Sequence, residues 1–264
     1  MKLGVIGLGN MASAMIGGIV KAGVFAPSDI TGSDAAPSQR EKAADTLGIG
    51  TCEDNREVVK GCDYLILAIK PQIYETVLTQ IKGAVGKDRV VISIAPGKTL
   101  EYLAGKLGSD TKIVRLMPNT PALVGEGCTG VCRNENVTDE EFDLVLKMLN
   151  GFGKAYEVKE SQMDAVVAVS GSSPAYVFML IDAMADGAVA EGLDRATAIE
   201  MAAQAVLGSA KMVLETGKHP GQLKDMVCSP AGTTIDAVAV LEEAGFRGSV
   251  IDAMSACAEK SRKI

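Results

Sequence analysis

The stretch "VIGLGNMASAM", residues 5–15, joins a short apolar run to a helical pattern through two closely spaced glycines. Gly7, Gly9 and Ala12 stand in G-x-G-x-x-A spacing. Between a strand and a helix, the first position permits a tight turn, the second lets a pyrophosphate approach the backbone, and the third lets the helix pack closely on the strand. The N-terminus of the helix attracts the same anion. The spacing predicts a dinucleotide-binding loop, with a purely structural Gly-rich turn as the alternative.

Short β-branched runs alternate with helical patterns through the first half of the chain. We predict strands at residues 2–6, 29–33, 64–69, 89–94, 112–117 and 155–158. We predict helices at residues 11–23, 37–47 and 140–153. Because strands that alternate with crossover helices form mostly parallel sheets, this pattern predicts an α/β fold with a Rossmann-type, doubly wound sheet.

Strand signals become scarce after residue 160, where Ala-rich helical patterns take over. We predict helices at about 162–169, 174–191, 195–215, 231–244 and 248–262. The sequence therefore predicts a dinucleotide-binding domain at residues 1–160, followed by an all-helical domain at residues 161–264.

The composition argues against several classes of function. The net charge of −7 opposes binding to nucleic acid, which requires a basic face. The six cysteines form no C-x-x-C pair and His219 is the only histidine, so no metal site is expected. Because the cysteines have mostly apolar neighbours, we expect reduced thiols and a cytoplasmic protein.

Neither a signal peptide nor a membrane span is expected. The apolar run at the N-terminus is short and is interrupted by glycines. The longest uncharged run, residues 165–181, contains Pro174 and is followed by Asp182 and Asp186. Acidic residues on the same predicted helix oppose burial in a bilayer.

Polar residues after the second and third predicted strands are candidate cofactor contacts. Asp34 lies where an acid hydrogen-bonds the adenosine ribose in NAD sites, and it is equally suited to cap the next helix. An NADP site more often has Arg there, although Ser33 and Arg40 could reach a 2′-phosphate. Lys70, in "AIKPQ", is either a nucleotide contact or a strand-end cation.

The second half offers no base for nucleophilic catalysis. His219 precedes Pro220 in a polar loop, and no G-x-S-x-G elbow occurs. A nicotinamide enzyme without a catalytic His fits an imine substrate, whose nitrogen arrives partly protonated. The stretch "SPAGTTID", residues 229–236, opens a helix with bare backbone and hydroxyls that can cradle a carboxylate.

Several stretches resemble the pyrroline-5-carboxylate reductase family, and the resemblance runs essentially from end to end. They are "AIKPQ" (68–72), "RLMPNTPALVGEG" (115–127), "SGSSPAYVFMLIDAMADGAVAEGL" (170–193) and "HPGQLKDMVCSPAGTTIDAVAVLEEAGFRGSVIDA" (219–253). The resemblance implies reduction of 1-pyrroline-5-carboxylate to L-proline with NADPH or NADH, the last step of proline biosynthesis. It also implies a homodimer through the helical domain, sometimes assembled into larger rings, with each active site combining the nucleotide domain of one subunit and the helical loop of its partner.

The glycine loop and the resemblance together give a set of site residues. The predicted cofactor-binding residues are Ile6, Gly7, Leu8, Gly9, Asn10, Met11, Ala12, Ser33, Asp34, Asn55, Ala68, Ile69, Lys70, Pro71, Ala95, Pro96, Gly97, Met117, Pro118 and Asn119. The predicted substrate-binding residues are Val227, Ser229, Pro230, Ala231, Gly232, Thr233 and Thr234. We assign the catalytic hydrogen bond to Thr234 and a helix-capping role to Thr233.

Two positions depart from the family pattern. Many relatives have a polar Asn or Gln where this chain has Met226, so a polar contact with the cofactor is missing here. Many bacterial relatives have Arg directly after the acid that follows the second strand, and this chain has Ala35. Because Asp34 without an adjacent Arg repels a 2′-phosphate, we expect NADH to serve at least as well as NADPH.

Two alternatives remain open from the sequence. A β-hydroxyacid dehydrogenase has the same order of domains but uses a Lys on the first long helix of its second domain, and residues 163–192 contain no Lys. A non-enzymatic dinucleotide-binding regulator would not need an intact substrate loop, and residues 229–236 keep that loop.

Overall fold

The computed structural model describes residues 1–263, so residue 264, the end of the predicted helical domain, lies outside the described residues. The chain forms two compact units. The first contains Met1–Ser172 together with the described residues from Cys257 onward, and the second contains Ser173–Ala256.

The first unit is built on one eight-stranded sheet in the order β3-β2-β1-β4-β5-β6-β7-β8. Strands β1 to β6 are parallel, β7 runs antiparallel to β6, and β8 is parallel to β7. The strands are β1 (Leu3–Ile6), β2 (Ile30–Ser33), β3 (Gly50–Cys52), β4 (Tyr64–Leu67), β5 (Val90–Ser93), β6 (Lys112–Met117), β7 (Gly127–Arg133) and β8 (Gly153–Glu157). The prediction of a Rossmann-type, mostly parallel sheet is confirmed.

Helices cover both faces of this sheet. They are α1 (Asn10–Lys21), α2 (Pro37–Leu47), α3 (Asn55–Lys60), α4 (Tyr74–Ile81), α5 (Leu100–Leu107), α6 (Asp139–Asn150) and α7 (Met163–Val166). Alternate strand residues enter two separate apolar cores, so that Val5 packs with α1 and α6 while Ile6 packs with α3, α4 and α5. Burial on both faces explains why β4 and β5 are continuously apolar.

Two strands escape prediction because their sequences lack an apolar run. β3 is only Gly50–Cys52, and β7 reads "GCTGVCR". The glycines of β7 allow close approach of other parts of the unit, because a Cβ on Gly130 would lie 2.6 Å from the Val166 side chain and one on Gly127 would lie 2.7 Å from the Phe152 carbonyl oxygen. Helices α3, α4 and α5 are also absent from the predicted set.

The second unit is helical, and no strand occurs in residues 161–263. Its helices are α8 (Ser173–Ala190), α9 (Arg195–Thr216), α10 (Pro220–Val227), α11 (Thr233–Glu243) and most of α12 (Phe246–Ser261). The predicted helices match four of these, and α10 was not predicted. Few side chains are buried within the unit, mainly Ala185, Ala198 and Ala202.

Hydrogen bonds explain why the first unit extends past the predicted domain boundary at residue 160. The Glu160 carboxylate accepts from Arg115 Nη1 at 2.9 Å and from the Leu100 backbone N–H at 2.7 Å. Ser261 Oγ donates to Asp164 Oδ1 at 2.6 Å, which holds the end of α12 in the same unit. A functional division between residues 160 and 161 stays a prediction.

One helical stretch of the described chain, residues 160–190, is long and apolar enough to cross a membrane by length and composition alone. A single stretch of this kind is weak evidence for a span. It contains a π-helical turn at Val167–Gly171 and the acidic residues Asp182 and Asp186.

Candidate functional site

The β1–α1 loop requires glycine at its first glycine position. Gly7 has φ +92°, a left-handed conformation that side chains oppose, and an added Cβ would lie 2.5 Å from the Ala68 carbonyl oxygen. Its N–H donates to the Ser33 carbonyl at 2.8 Å, which ties the turn to the end of β2. Gly7 therefore forms the tight turn that the sequence predicts.

The second glycine has a different role. Gly9 is the N-cap of α1 with an ordinary φ of −73°, and a Cβ placed on it would meet no atom within 4 Å. No side chain caps the helix, so its first backbone N–H groups have no side-chain partner. Ala12, in the first turn of α1, is buried. Nothing inside the protein requires glycine at position 9, and a bare helix N-terminus fits the pyrophosphate of a dinucleotide.

The loops that follow five parallel strands open at one edge of the sheet. In the register of the sheet, Ile6 pairs with Ser33 and with Leu67, and Leu67 pairs with Ser93. The strand order reverses between β1 and β4, which is the switch point where α/β sheets bind ligands. This edge collects the predicted cofactor-binding residues that begin at positions 7, 33, 68, 95 and 117.

Asp34 fastens the glycine loop to the start of α2. Its Oδ2 accepts from the Leu8 N–H at 2.9 Å, and its Oδ1 accepts from the Ala36 N–H at 2.9 Å. A carboxylate has about four lone-pair sites, so each oxygen can still accept a ribose hydroxyl. The two roles weighed for Asp34, helix entry and ribose binding, are therefore compatible.

A short chain of polar side chains lies beside Asp34. Ser33 Oγ donates to Asn55 Oδ1 at 2.7 Å, and Asn55 Nδ2 donates to Gln80 Oε1 at 2.8 Å. The structure thus brings the predicted residues Ser33 and Asn55 together, with Ser33 fully buried. Gln80 was not among the predicted residues, because its partner Asn55 lies 25 residues away in the sequence.

The β4 loop contributes residues 68–71. The Ala68 N–H donates to the Ile6 carbonyl at 2.8 Å, which places this loop directly beside the glycine loop. Ile69 is half-buried, whereas Lys70 is exposed just before a 3-10 turn that begins at Pro71. A nucleotide contact by Lys70 stays a prediction.

Tyr74 joins the ends of β4 and β5 beneath these loops. Its hydroxyl donates to the Leu67 carbonyl at 2.8 Å and lies 3.0 Å from Ser93 Oγ. Burial raises the pKa of Tyr74 to about 12. The phenol therefore stays neutral and braces the sheet edge, a role that sequence pattern alone does not reveal.

The β5 and β6 loops hold the remaining predicted cofactor residues. Ala95 is buried, and Gly97 turns the chain with φ +72°. Asn119 is also buried, and its amide is occupied: Nδ2 donates to the Ser170 carbonyl at 3.0 Å and Oδ1 accepts from the Cys128 N–H at 2.8 Å. Asn119 clamps the segment 117–121 in place, and a direct cofactor contact from it stays a prediction.

The loop before α11 is a strained turn. Ala231 has φ +56°, the one positive φ of a non-glycine residue in the described chain. The Gly232 N–H donates to the Ser229 carbonyl at 3.1 Å, and a Cβ on Gly232 would clash with Ser229 Oγ. A residue held in the left-handed region costs about 1–3 kcal/mol, and such strain concentrates at ligand-binding sites.

The prediction that Thr233 caps α11 is wrong. Gly232, with φ −85° and ψ 165°, is the N-cap and supplies no side-chain hydrogen bond, so Thr233 and Thr234 are the first two helical residues. Within residues 1–263, neither Thr hydroxyl has a hydrogen-bond partner. The first turn of α11 therefore presents free N–H groups and two hydroxyls, which suits a carboxylate.

His219 has a structural role. Its Nδ1 accepts from the Gly221 N–H at 3.1 Å and caps α10, directly before Pro220. This contact gives the imidazole a capping role, and the expectation that His219 is no catalytic base stays a prediction.

The buried cysteines are poor nucleophiles. Burial raises the pKa of Cys62 to about 11 and that of Cys132 to about 12. Both side chains are therefore neutral thiols at pH 7. Among the described residues, no group of three or more His, Cys, Asp or Glu side chains is placed to hold a metal ion.

Comparisons with known proteins match both parts of the chain. Residues 160–264 match a family model described as pyrroline-5-carboxylate reductase dimerisation, and residues 2–97 match one described as NADP oxidoreductase, coenzyme F420-dependent. The chain is 52% identical to pyrroline-5-carboxylate reductase of Escherichia coli over 100% of its length and 98% of the relative. It is 46% identical to the enzyme of that name from Methanosarcina acetivorans, over 100% of this chain and 97% of the relative.

A solved structure of a protein with this name has the same fold. The crystal structure of Plasmodium falciparum pyrroline carboxylate reductase with NADP bound superposes with a TM-score of 0.91 at 35% identity, covering 100% of this chain and 97% of that one.

Proposed function

Because this chain belongs to the pyrroline-5-carboxylate reductase family, we propose that it reduces 1-pyrroline-5-carboxylate to L-proline with NADPH or NADH. The observation that carries the proposal is the mouth of α11, where residues 229–234 leave helix N–H groups and two hydroxyls without a side-chain cap. This arrangement suits a small substrate that carries a carboxylate, as this cyclic imine does.

The cofactor is held by residues at the carboxyl edge of the sheet. The bare backbone at Gly9 and the N-terminus of α1 bind the pyrophosphate, and Asp34 accepts a hydrogen bond from the adenosine ribose. The loops at 95–97 and 117–121 orient the nicotinamide ring. When bound, the nicotinamide supplies the hydride that the reduction consumes.

The chain holds the substrate through α11. The N-terminal N–H groups of the helix bind the carboxylate, and the turn at Ala231 and Gly232 keeps the backbone uncovered for it. The Thr234 hydroxyl accepts a hydrogen bond from the protonated ring nitrogen, or donates one to the carboxylate, as the hydride arrives. Because the imine nitrogen is basic, no His is needed to protonate it, and positioning supplies much of the rate.

We further propose a homodimer formed through the helical unit, with larger rings of dimers as an additional level of assembly. Many large apolar side chains of this unit are exposed in the single chain, among them Phe178, Met179, Leu214, Val240 and Ile251. A soluble chain rarely exposes so much apolar surface unless it binds a partner. In the dimer, the nucleotide unit of one subunit is completed by the 229–234 loop of the other.

Dimerisation also accounts for the apolar stretch 160–190 without a membrane. Asp182 and Asp186 are exposed in the single chain, and Asp186 pairs with Arg195 at 2.6 Å, which opposes placing this stretch in a bilayer. With a net charge of −7, the protein is proposed to act in the cytoplasm on a small molecule, without nucleic acid.

Thr234→Val tests the substrate site, with Thr46→Val, which removes an exposed hydroxyl from α2, as the matched control. Loss of the hydroxyl hydrogen bond lowers kcat/KM about tenfold to a hundredfold, equivalent to about 1–3 kcal/mol, while the cofactor Kd and the melting temperature stay near those of the wild type. Thr234→Ser is expected to recover much of the loss. Full activity of Thr234→Val would mean that the backbone alone holds the substrate.

A further inference from the structure

The guanidinium of Arg40 lies at the end of β2, beside the residues that recognise the adenosine ribose. Its Nη1 donates to the Asp34 carbonyl at 2.6 Å and is 3.3 Å from the Ala35 carbonyl. The Arg40 side chain is only 18% exposed, so its aliphatic part is packed and its head is held in place. Arg40 is thus a cation fixed at the backbone of residues 34 and 35.

Most donors of this guanidinium remain available. Arginine has five N–H donors, and the hydrogen bonds to residues 34 and 35 use Nη1 only. The nearest acid, Glu53, has its Oε2 at 3.7 Å from Nη2, which is an ion pair without a hydrogen bond. Glu53 is 83% exposed and therefore holds Arg40 weakly.

The Asp34 carboxylate is engaged elsewhere. Its two oxygens accept from the Leu8 and Ala36 N–H groups, so the backbone fixes its position and partly offsets its charge. Asp34 therefore opposes a 2′-phosphate less than an unpaired carboxylate would. The Arg40 guanidinium is fixed at the backbone carbonyl of this residue, and the exposed carboxylate of Glu53 lies beside that guanidinium.

We infer that Arg40 is the residue through which this chain accepts the 2′-phosphate of NADPH, and that Glu53 limits that acceptance. The inference rests on the proposed nucleotide site. Arg40 contributes one positive charge, whereas Asp34 and Glu53 contribute one negative charge each. Because the two negative charges outweigh the one positive charge, NADH binds at least as tightly as NADPH. Arg40 still provides enough attraction for NADPH to bind.

The test compares two adenosine fragments by titration calorimetry: adenosine 2′,5′-bisphosphate and adenosine 5′-monophosphate. Arg40→Gln is expected to weaken binding of the bisphosphate about tenfold to a hundredfold, because a charge-assisted hydrogen bond is lost. The affinity for the monophosphate is expected to change less than about twofold. Glu53→Gln, at an exposed side chain, is expected to bind the bisphosphate several-fold more tightly, with little change for the monophosphate.

Lys42→Gln is the matched control, because it removes one positive charge from the exposed face of the same helix. It is expected to alter neither fragment by more than about twofold. Equal weakening of both fragments by Arg40→Gln, or no weakening of the bisphosphate, would overturn the inference, as would an unchanged bisphosphate affinity in Glu53→Gln. Neither fragment undergoes hydride transfer, so a chain without reductase activity would still give the binding result, and the two proposals fail separately.

Discussion

Gly7 and Gly9 lie two residues apart in the β1–α1 loop, yet the conformation of the protein requires glycine only at Gly7. Gly7→Ala places a Cβ against the Ala68 carbonyl at positive φ and is expected to destabilise the fold by on the order of 2 kcal/mol. Gly9→Ala is expected to leave the melting temperature unchanged and to weaken NADH and NADPH binding at least about tenfold, or about 1.4 kcal/mol.

Calorimetry and thermal unfolding of both Ala variants separate the two roles. An unchanged cofactor Kd in a folded Gly9→Ala protein would show that the pyrophosphate does not bind at this loop, and the prediction of a dinucleotide-binding loop would then be wrong.

His219 gives a second prediction about a single side chain. Because its imidazole caps α10 and performs no proton transfer, His219→Asn, which keeps a capping acceptor, is expected to retain kcat/KM within about twofold. His219→Ala is expected to lower the unfolding free energy by about 1 kcal/mol with a similarly small effect on turnover. Steady-state rates across pH 6–9 check this, since loss of activity in the Asn variant would identify the imidazole as a catalytic group.

The buried thiols give a prediction about reactivity. Burial holds the pKa of Cys62 at about 11 and that of Cys132 at about 12, so both remain thiols in the folded protein at pH 8. Iodoacetamide at that pH is expected to leave both unlabelled until urea unfolds the chain. Because these folded-state pKa values are raised, the stability contributed by the neutral thiols is complete below pH 9 and is lost as the pH rises toward 11–12. Peptide mass spectrometry of labelled native protein is the measurement.

One ion pair connects three elements of the sheet unit. Glu160, just before α7, receives hydrogen bonds from Arg115 on β6 and from the N-terminus of α5. Glu160→Ala leaves the buried Arg115 without its partner and is expected to cost on the order of 3 kcal/mol. Removing both charges in Arg115→Met with Glu160→Gln is expected to cost less than Glu160→Ala. Urea unfolding checks this, and a double variant at least as unstable as Glu160→Ala would show that the pair itself supplies the stability.

A helix or strand can be predicted when the reason it forms is visible in its own residues. β4 and β5 are predictable because burial on both faces demands a continuous apolar run. β7 is not, because Gly127 and Gly130 are required by contacts with Phe152 and Val166 that arise only after folding. The capping role assigned to Thr233 was wrong for a similar reason, since the turn at Ala231 makes Gly232 the cap.

The candidate site divides in the same way. The glycine loop is predictable because each position of its G-x-G-x-x-A spacing has a known structural role. The start of α11 is predictable because residues with little or hydroxyl-bearing side chain precede a helical pattern. The brace formed by Tyr74 and the acceptor Gln80 could not be found, because their partners come from distant strands and helices.

The helical unit makes a prediction about assembly. Met179 is 73% exposed on α8 of the single chain, so Met179→Asp is expected to disrupt the proposed dimer by burying a charge in its interface. Tyr156→Asp, at a residue 48% exposed on β8, is the matched control and is expected to remain dimeric. Light scattering at micromolar concentration distinguishes the two, and an active wild-type monomer would contradict the proposed assembly.

The reduction of the cyclic imine is the central claim, and isotope transfer tests it most directly. The protein is incubated with 1-pyrroline-5-carboxylate and either NADH or NADPH deuterated at the hydride-donating carbon of the nicotinamide. We expect one L-proline for each cofactor oxidised, with one deuterium on the former imine carbon of the ring, and we expect NADH to serve at least as well as NADPH. Binding of the cofactor without formation of deuterated proline would contradict the account and leave a dinucleotide-binding protein without this reductase activity.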